Sequence, residues 1–131
     1  MTDIRWQQRF QNFQKARLLL ESALALPSPD PIHRAGIVQF FEMTFELSWK
    51  LLKDYLEAQG FTDVATPRSA IKKAFEIGLI QEGRTWLQGL EDRNLMTHTY
   101  DENTALQVDA LIRETYFPLF NSLSQIIVGK F

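Results

Sequence analysis

The chain contains no cysteine, two histidines, five prolines and six glycines among its 131 residues. Without cysteine it has no disulfide framework, no thiolate metal site and no thiol nucleophile. Its 14 basic and 16 acidic residues leave a formal net charge of −2, which gives no general attraction for nucleic acid or an anionic membrane. Any phosphate must therefore be held by a local arrangement. No window approaches the roughly 18 consecutive apolar residues needed to cross a bilayer. The opening MTDIRWQQRF puts charged and amide residues where a signal peptide requires an apolar core. Glycine-rich phosphate loops and metal-ligand spacings of His and carboxylate are also missing. These absences predict a soluble, cytoplasmic protein with no membrane partner, no metal and no cofactor of its own.

What is present is a globular composition, with 45% hydrophobic and 23% charged residues, in a length that suits one domain spanning 1–131. Trp6, Phe10, Phe13, Leu20 and Leu24 recur at helical spacing and predict an amphipathic helix from 2 to about 25. The stretch LPSPDP ends it, because three prolines within five residues (Pro27, Pro29 and Pro31) cannot continue a helix. Asp30 before Pro31 is a good N-cap and first-turn pair, so a second helix runs from there to about Gln59, with Gly60 as its left-handed cap. It carries Ile37, Phe40, Phe41, Phe45, Leu47, Trp49, Leu51, Leu52, Tyr55 and Leu56, too many apolar side chains for one stripe. Such a helix is expected to be central in a bundle and half of a dimer interface.

TPRSAIKKAFEIG predicts a short helix with Thr66 as N-cap, Pro67 at its first position, Ile71, Ala74 and Phe75 inward, and Gly78 as the stop. A fourth helix is expected over 83–100 and a fifth after Asp101 to Asn103, kinked or broken near 114–118 by Pro118. Strand-like alternation is absent. The fold class is all-α, an antiparallel four-helix-type bundle with one extra short helix.

The stretch EDRNLMTHTYDE, residues 91–102, breaks the pattern. On a helical wheel Trp86, Leu90, Arg93, Thr97 and Tyr100 fall along one line, so the apolar stripe turns polar after Leu90 without leaving the inward face. A lone buried guanidinium would cost several kcal/mol, about what an unpaired buried ion costs. In one solution Arg93 pairs with Glu91, Asp92 or a carboxylate of another helix, while His98 and Tyr100 cap the helix end. In the other, the cluster lines a cleft and receives a phosphate. Arg93 and His98 lie five residues apart, about 140° round an ideal helix. They converge on one atom only if the helix unwinds near Thr97 or a two-fold axis brings in a second copy. Such a groove suits RNA: an imidazole with a pKa near 6.5 can take a proton from a ribose 2′-hydroxyl, and a guanidinium fork can meet the charge on phosphoryl oxygens.

Read as RNLMTHTY, residues 93–100 resemble the Arg-x4-His-x-Tyr signature of HEPN-superfamily proteins of the HepT type, also called the nucleotidyltransferase substrate-binding-protein family. The resemblance extends through RFQNFQKA, VQFFEMTFELSWKLLKDYLEAQG, TPRSAIKKAFEIGLI and LEDRNLMTHTYDE. It implies a homodimer partnered by a small nucleotidyltransferase encoded alongside, in a toxin-antitoxin pair. It further implies a metal-independent RNA-cleaving site of Arg93 and His98 supported by Asn94, silenced by AMP transfer to Tyr100. A non-catalytic subunit that presents substrate or nucleotide to the nucleotidyltransferase, and a plain helical interaction module, are the alternatives. Tyr100 could also be an aromatic lid. Arg68, Lys72 and Lys73 form a basic patch that would touch RNA phosphates or the partner, or form a solvated helix face. His33 reads as surface. Trp49 and its aromatic neighbours read as core or interface.

Overall fold

The computed structural model describes residues 2–27 and 30–131, and these are all-α, without strands. Helix α1 spans Thr2–Leu24, α2 Pro31–Ala58, α3 Pro67–Glu76 and α4 Gly83–Asp92. A 3-10 turn covers Arg93–His98, followed by α5 (Glu102–Leu111), a π turn (Ile112–Tyr116) and α6 (Phe117–Val128). Pro29, one of the three prolines expected to end the first helix, lies outside the described residues.

Local chemistry explains the boundaries. Asp30 caps α2 by accepting the His33 backbone N–H at 2.9 Å, and that bond holds its carboxyl below the usual carboxylate range. Gly60, at φ 95°, follows the last turn of α2 in a conformation that side chains disfavour. Thr66 and Ser69 close a reciprocal capping box at the start of α3, with Pro67 at its first position.

Helix α2 is the spine. It packs against α1, α3, α5 and α6, which explains why Ile37, Phe41, Phe45, Leu51, Leu52 and Leu56 are nearly inaccessible on more than one side of it. Phe13, Phe41, Phe45, Trp86, Tyr116 and Phe120 meet at the centre with ring centroids 5.4 to 6.4 Å apart. Polar ties lock the helices in register. Arg9 Nε on α1 donates to the buried Asp54 of α2 at 2.9 Å, and Arg113 Nη1 closes the end of α1 on the Leu24 carbonyl at 2.7 Å.

One expectation needs correction and another is met in a particular way. Phe75 is 49% exposed rather than inward. Ile71 and Ala74 fill the inner face of α3, and the Phe75 ring lies over Gly83, where a Cβ would stand 2.5 Å from Phe75 Cγ. Pro118 disturbs the last helix close to where its position implies, through the π turn that separates α5 from α6. The π turn just before it lets the Phe117 N–H bond to Ile112 O, a wider turn that takes up the missing donor and the ring's bulk.

Gly89 brings α4 close to α2. A Cβ there would stand 2.5 Å from Phe45 Cε2 and 3.2 Å from Tyr116 Cε1. Gly89→Ala is expected to lower unfolding stability by about 1–3 kcal/mol through overpacking, despite a gain in helix propensity of roughly 1 kcal/mol. Urea denaturation measures this, and a stabilised variant would show that α4 has room to move.

Candidate functional site

The site begins where α4 stops being an α-helix. Asp92, the last residue of α4, is buried at 9% exposure. Its Oδ1 accepts from Gln88 Nε2 at 3.0 Å and its Oδ2 accepts a short bond from the Tyr116 hydroxyl. Tyr116 belongs to the π turn, so the distortion that accommodates Pro118 also aims this phenol at α4. Burial first, then the bond to Asp92 and its negative charge, push the Tyr116 phenol far up from its usual value.

Beyond Asp92 the chain tightens into the 3-10 turn, and the fourth helix does not reach residue 100 as its periodicity implied. At three residues per turn, Arg93, Met96 and Thr99 share one side. Met96 is buried at 4% and the other two are half-buried. Asn94, Thr97, His98 and Tyr100 point to solvent. The expected inward line from Trp86 to Tyr100 is thus cut at Arg93. An unbroken α-helix would have turned Thr97 and Tyr100 toward the core, where polar groups cost energy unless paired. The tighter turn buries Met96 instead. Asp101 then caps α5, its Oδ2 accepting from the Thr104 N–H at 3.1 Å and the Thr104 hydroxyl at 2.8 Å.

Arg93 takes its partner from α2, not from Glu91 or Asp92. Its Nη1 lies 3.6 Å from Glu46 Oε2, and its guanidinium sits over the Phe45 ring at 5.4 Å. The side chain remains 34% exposed, so the pair is open to solvent. Glu46 is held in turn by Trp49 Nε1 at 3.0 Å and Lys50 at 3.3 Å. Together Gln39, Glu42, Met43, Glu46, Arg93 and Asn94 line an open groove of about 520 Å³.

His98 and Tyr100 form a separate pair. Nδ1 of His98 lies 3.4 Å from the Tyr100 hydroxyl, with the rings edge to face at 5.9 Å. Tyr100 is 85% exposed. Among the described residues neither side chain bonds a helix carbonyl, so the capping role is not seen. Within one chain Arg93 and His98 aim about 120° apart on a three-fold turn, into different surroundings. The structure brings together Arg93 with Asn94 and His98 with Tyr100, and leaves the two pairs on different sides.

On α3, Arg68 pairs with Glu91 at 3.4 Å and Lys73 with Glu76 at 3.3 Å, the Lys73 ammonium also lying over Phe61. Lys72 makes no ion pair among the described residues and is exposed. His33 is a surface residue beside Asp30, at 3.4 Å. Trp49 is buried. Among the described residues no cluster of His, Asp and Glu could hold a metal ion, and no helix is long and apolar enough to cross a membrane. The roles of Glu46 and of the Asp92–Tyr116 pair were invisible in the sequence, because each joins residues of distant segments.

The chain is of the HepT-like, HEPN class. Residues 8–128 match the family described as "Nucleotidyltransferase substrate binding protein like", and the chain belongs to that family. It is 32% identical over 99 residues to a protein of Haemophilus influenzae described as "Probable ribonuclease HepT", covering 65% of this chain and 64% of that relative. It thus spans a little under two thirds of the relative's length. A crystal structure of a protein from Thermus thermophilus superposes with a TM-score of 0.73 at 34% identity, covering 90% of this chain and 97% of the other.

Two outcomes test this geometry. Tyr116→Phe strips the buried Asp92 carboxylate of a donor and is expected to cost about 1–3 kcal/mol in denaturant unfolding. The raised folded value carries its own pH signature. The unfolded phenol ionises near pH 10 while the folded one stays protonated, so this contribution is intact below pH 10 and is lost as pH rises above it. The wild type should therefore lose stability above pH 10 more steeply than Tyr116→Phe; parallel curves would contradict the buried bond. Because the Arg93–Glu46 pair is part-exposed, a double-mutant cycle with Arg93→Ala and Glu46→Ala should give a coupling of at most about 1 kcal/mol. A much larger value would mean that Arg93 is a structural residue.

Proposed function

We propose that this protein is a metal-independent ribonuclease that works as a homodimer and is held in check by a nucleotidyltransferase, as in toxin-antitoxin pairs. The observation that carries the reading is the turn itself, which presents a part-exposed Arg93, resting on Phe45 and Glu46, and an exposed His98 against Tyr100. Its kinship with a probable ribonuclease supports the same reading.

In the proposed reaction His98 takes the proton of a ribose 2′-hydroxyl. The freed oxygen attacks the adjacent phosphorus, the bond to the 5′-oxygen breaks with a proton returned to it, and the products are a 2′,3′-cyclic phosphate and a 5′-hydroxyl. Arg93 meets the charge that builds on the phosphoryl oxygens, and the Asn94 amide, beside it in the groove, adds a donor. Because the two side chains diverge within one chain, the site is composite: a second copy docks along the groove face of α2, where Met43 is 38% exposed beside Arg93 and Asn94. Lys72 is the cation on α3 left to touch RNA or the partner.

Tyr100 is the proposed acceptor of AMP. Its hydroxyl is accessible and lies beside an imidazole, and a phosphodiester added there would place negative charge at the site that receives RNA. A second reading, a non-catalytic subunit that binds substrate or nucleotide for the nucleotidyltransferase, is favoured by the family's description and by Glu42 and Glu46, whose charge opposes RNA in the groove.

Purified protein is expected to cleave single-stranded RNA in the presence of a metal chelator. His98→Ala should lower the rate at least about 100-fold, the lower end of what general acid-base catalysis supplies, and Arg93→Ala by a similar factor, with both variants folded. Intact mass after incubation with the partner and ATP should show adducts on the wild type and none on Tyr100→Phe. Adducts without any RNA cleavage would establish the second reading; neither would leave a helical interaction module.

A further inference from the structure

Beside Tyr100, between the first turn of α2 and the start of α5, lies a partly open cavity of about 380 Å³ whose walls include Pro31, Arg34, Thr99, Tyr100, Glu102 and Ala105. That volume falls within the range of small-molecule sites, about 300–1,000 Å³. Arg34 is its one cation. The Nε of Arg34 is buried without a hydrogen-bond partner, and the guanidinium forms no ion pair among the described residues. On the crevice behind, Asp109 bonds Arg113 through Oδ1 at 3.1 Å, and its Oδ2 is likewise buried without a partner. A buried guanidinium donor left unmet costs free energy, and a planar fork of donors matches a phosphoryl group.

We propose that this cavity seats the phosphoryl group of a nucleoside monophosphate carried on Tyr100, with Arg34 as its cation. The proposal rests on the reading of Tyr100 as the acceptor and names where the attached group goes. In the transfer, Tyr100 Oη bonds to the α-phosphorus of a nucleoside triphosphate, the bond from that phosphorus to the bridging oxygen breaks, pyrophosphate leaves, and the phenolic proton passes to solvent. The product is a phosphodiester with a single negative charge, matched by the single charge of Arg34. Glu102 on the same wall opposes free, multiply charged phosphates, so a free nucleotide binds weakly and attachment to Tyr100 supplies the effective concentration that fills the cavity. Seated there, the modified ring stays against His98, whose Nδ1 its oxygen meets at 3.4 Å.

The test follows free AMP and the attached group separately. In ¹H–¹⁵N spectra of the whole protein, millimolar AMP should shift the amides of Ala35, Thr99 and Ala105. Arg34→Gln should weaken that binding about tenfold or more, as loss of a charged hydrogen bond does, and Glu102→Gln should strengthen it. After reaction with the partner and ATP, the adduct-bearing wild type should melt at a higher temperature than the unmodified protein, whereas Arg34→Gln takes the same adduct mass without the rise. Equal AMP binding by wild type and Arg34→Gln, or an equal rise in melting temperature, overturns the site while leaving Tyr100 as the acceptor. AMP binding that depends on Arg34 with no adduct on any protein overturns attachment and makes free nucleotide the ligand, a failure of the Tyr100 reading itself.

Discussion

A carboxylate buried at the end of α4 governs everything downstream of it. Asp92 is held from two sides, by Gln88 one turn earlier and by Tyr116 from the π turn, and the next residue is Arg93. With its last residue fixed in the core, α4 cannot slide or roll, so the tighter turn that follows starts from a set direction. Burial of Met96 on one side and the Asp101 cap on the other keep it there. Two buried anchors and one exposed cap thus hold a turn whose side chains Asn94, His98 and Tyr100 face outward. That division suits a functional surface, since precise placement comes from the anchors and the presented groups stay free to meet a ligand.

Helix α2 serves the turn at both ends. Its middle supplies Glu46 and Phe45, which orient Arg93, and its first turn supplies Arg34 and Pro31, which face Tyr100. A chain with net charge −2 has no field to attract polyanions, so local cations must do so. Arg93 and Arg34 are such cations, one partly neutralised by a neighbouring glutamate and the other lacking any ion pair among the described residues. The opposite arrangement of the two, open groove against narrower cavity, matches the proposed difference between a transient RNA phosphate and an attached nucleotide.

The helices were legible because their signals are local. Asp30, Thr66 and Gly60 mark ends through bonds made within one turn, and the spacing of Trp6, Phe10, Phe13 and Leu20 reports a face that any neighbour would bury. The turn at Arg93 was not legible in the same way. Counting at 3.6 residues per turn put Thr97 and Tyr100 inward, because nothing within residues 83–100 announces the Tyr116 bond that ends α4 early. Phe75 misled for the same reason: whether the third apolar residue of a short helix is covered depends on where the next helix, starting at Gly83, happens to pass. Pro118 signalled a disturbance correctly, but the chain absorbed it by widening one turn. The candidate residues Arg93, Asn94, His98 and Tyr100 could be picked from the resemblance of RNLMTHTY to a known motif; Glu46, 47 positions from Arg93, and Arg34, which lines one cavity with Tyr100 from 66 positions away, could not.

The proposed composite site requires that two copies of the 93–98 turn face one another. With no native cysteine, Thr97→Cys carries a single spin label on each chain at an exposed position, giving up only the hydroxyl's bond to the Asn94 carbonyl. Pulsed dipolar spectroscopy on that protein should yield one narrow distance, well short of the roughly 42 Å length of the 28-residue α2. No dipolar signal, as a monomer gives, or a distance longer than that helix would contradict a shared Arg93–His98 groove.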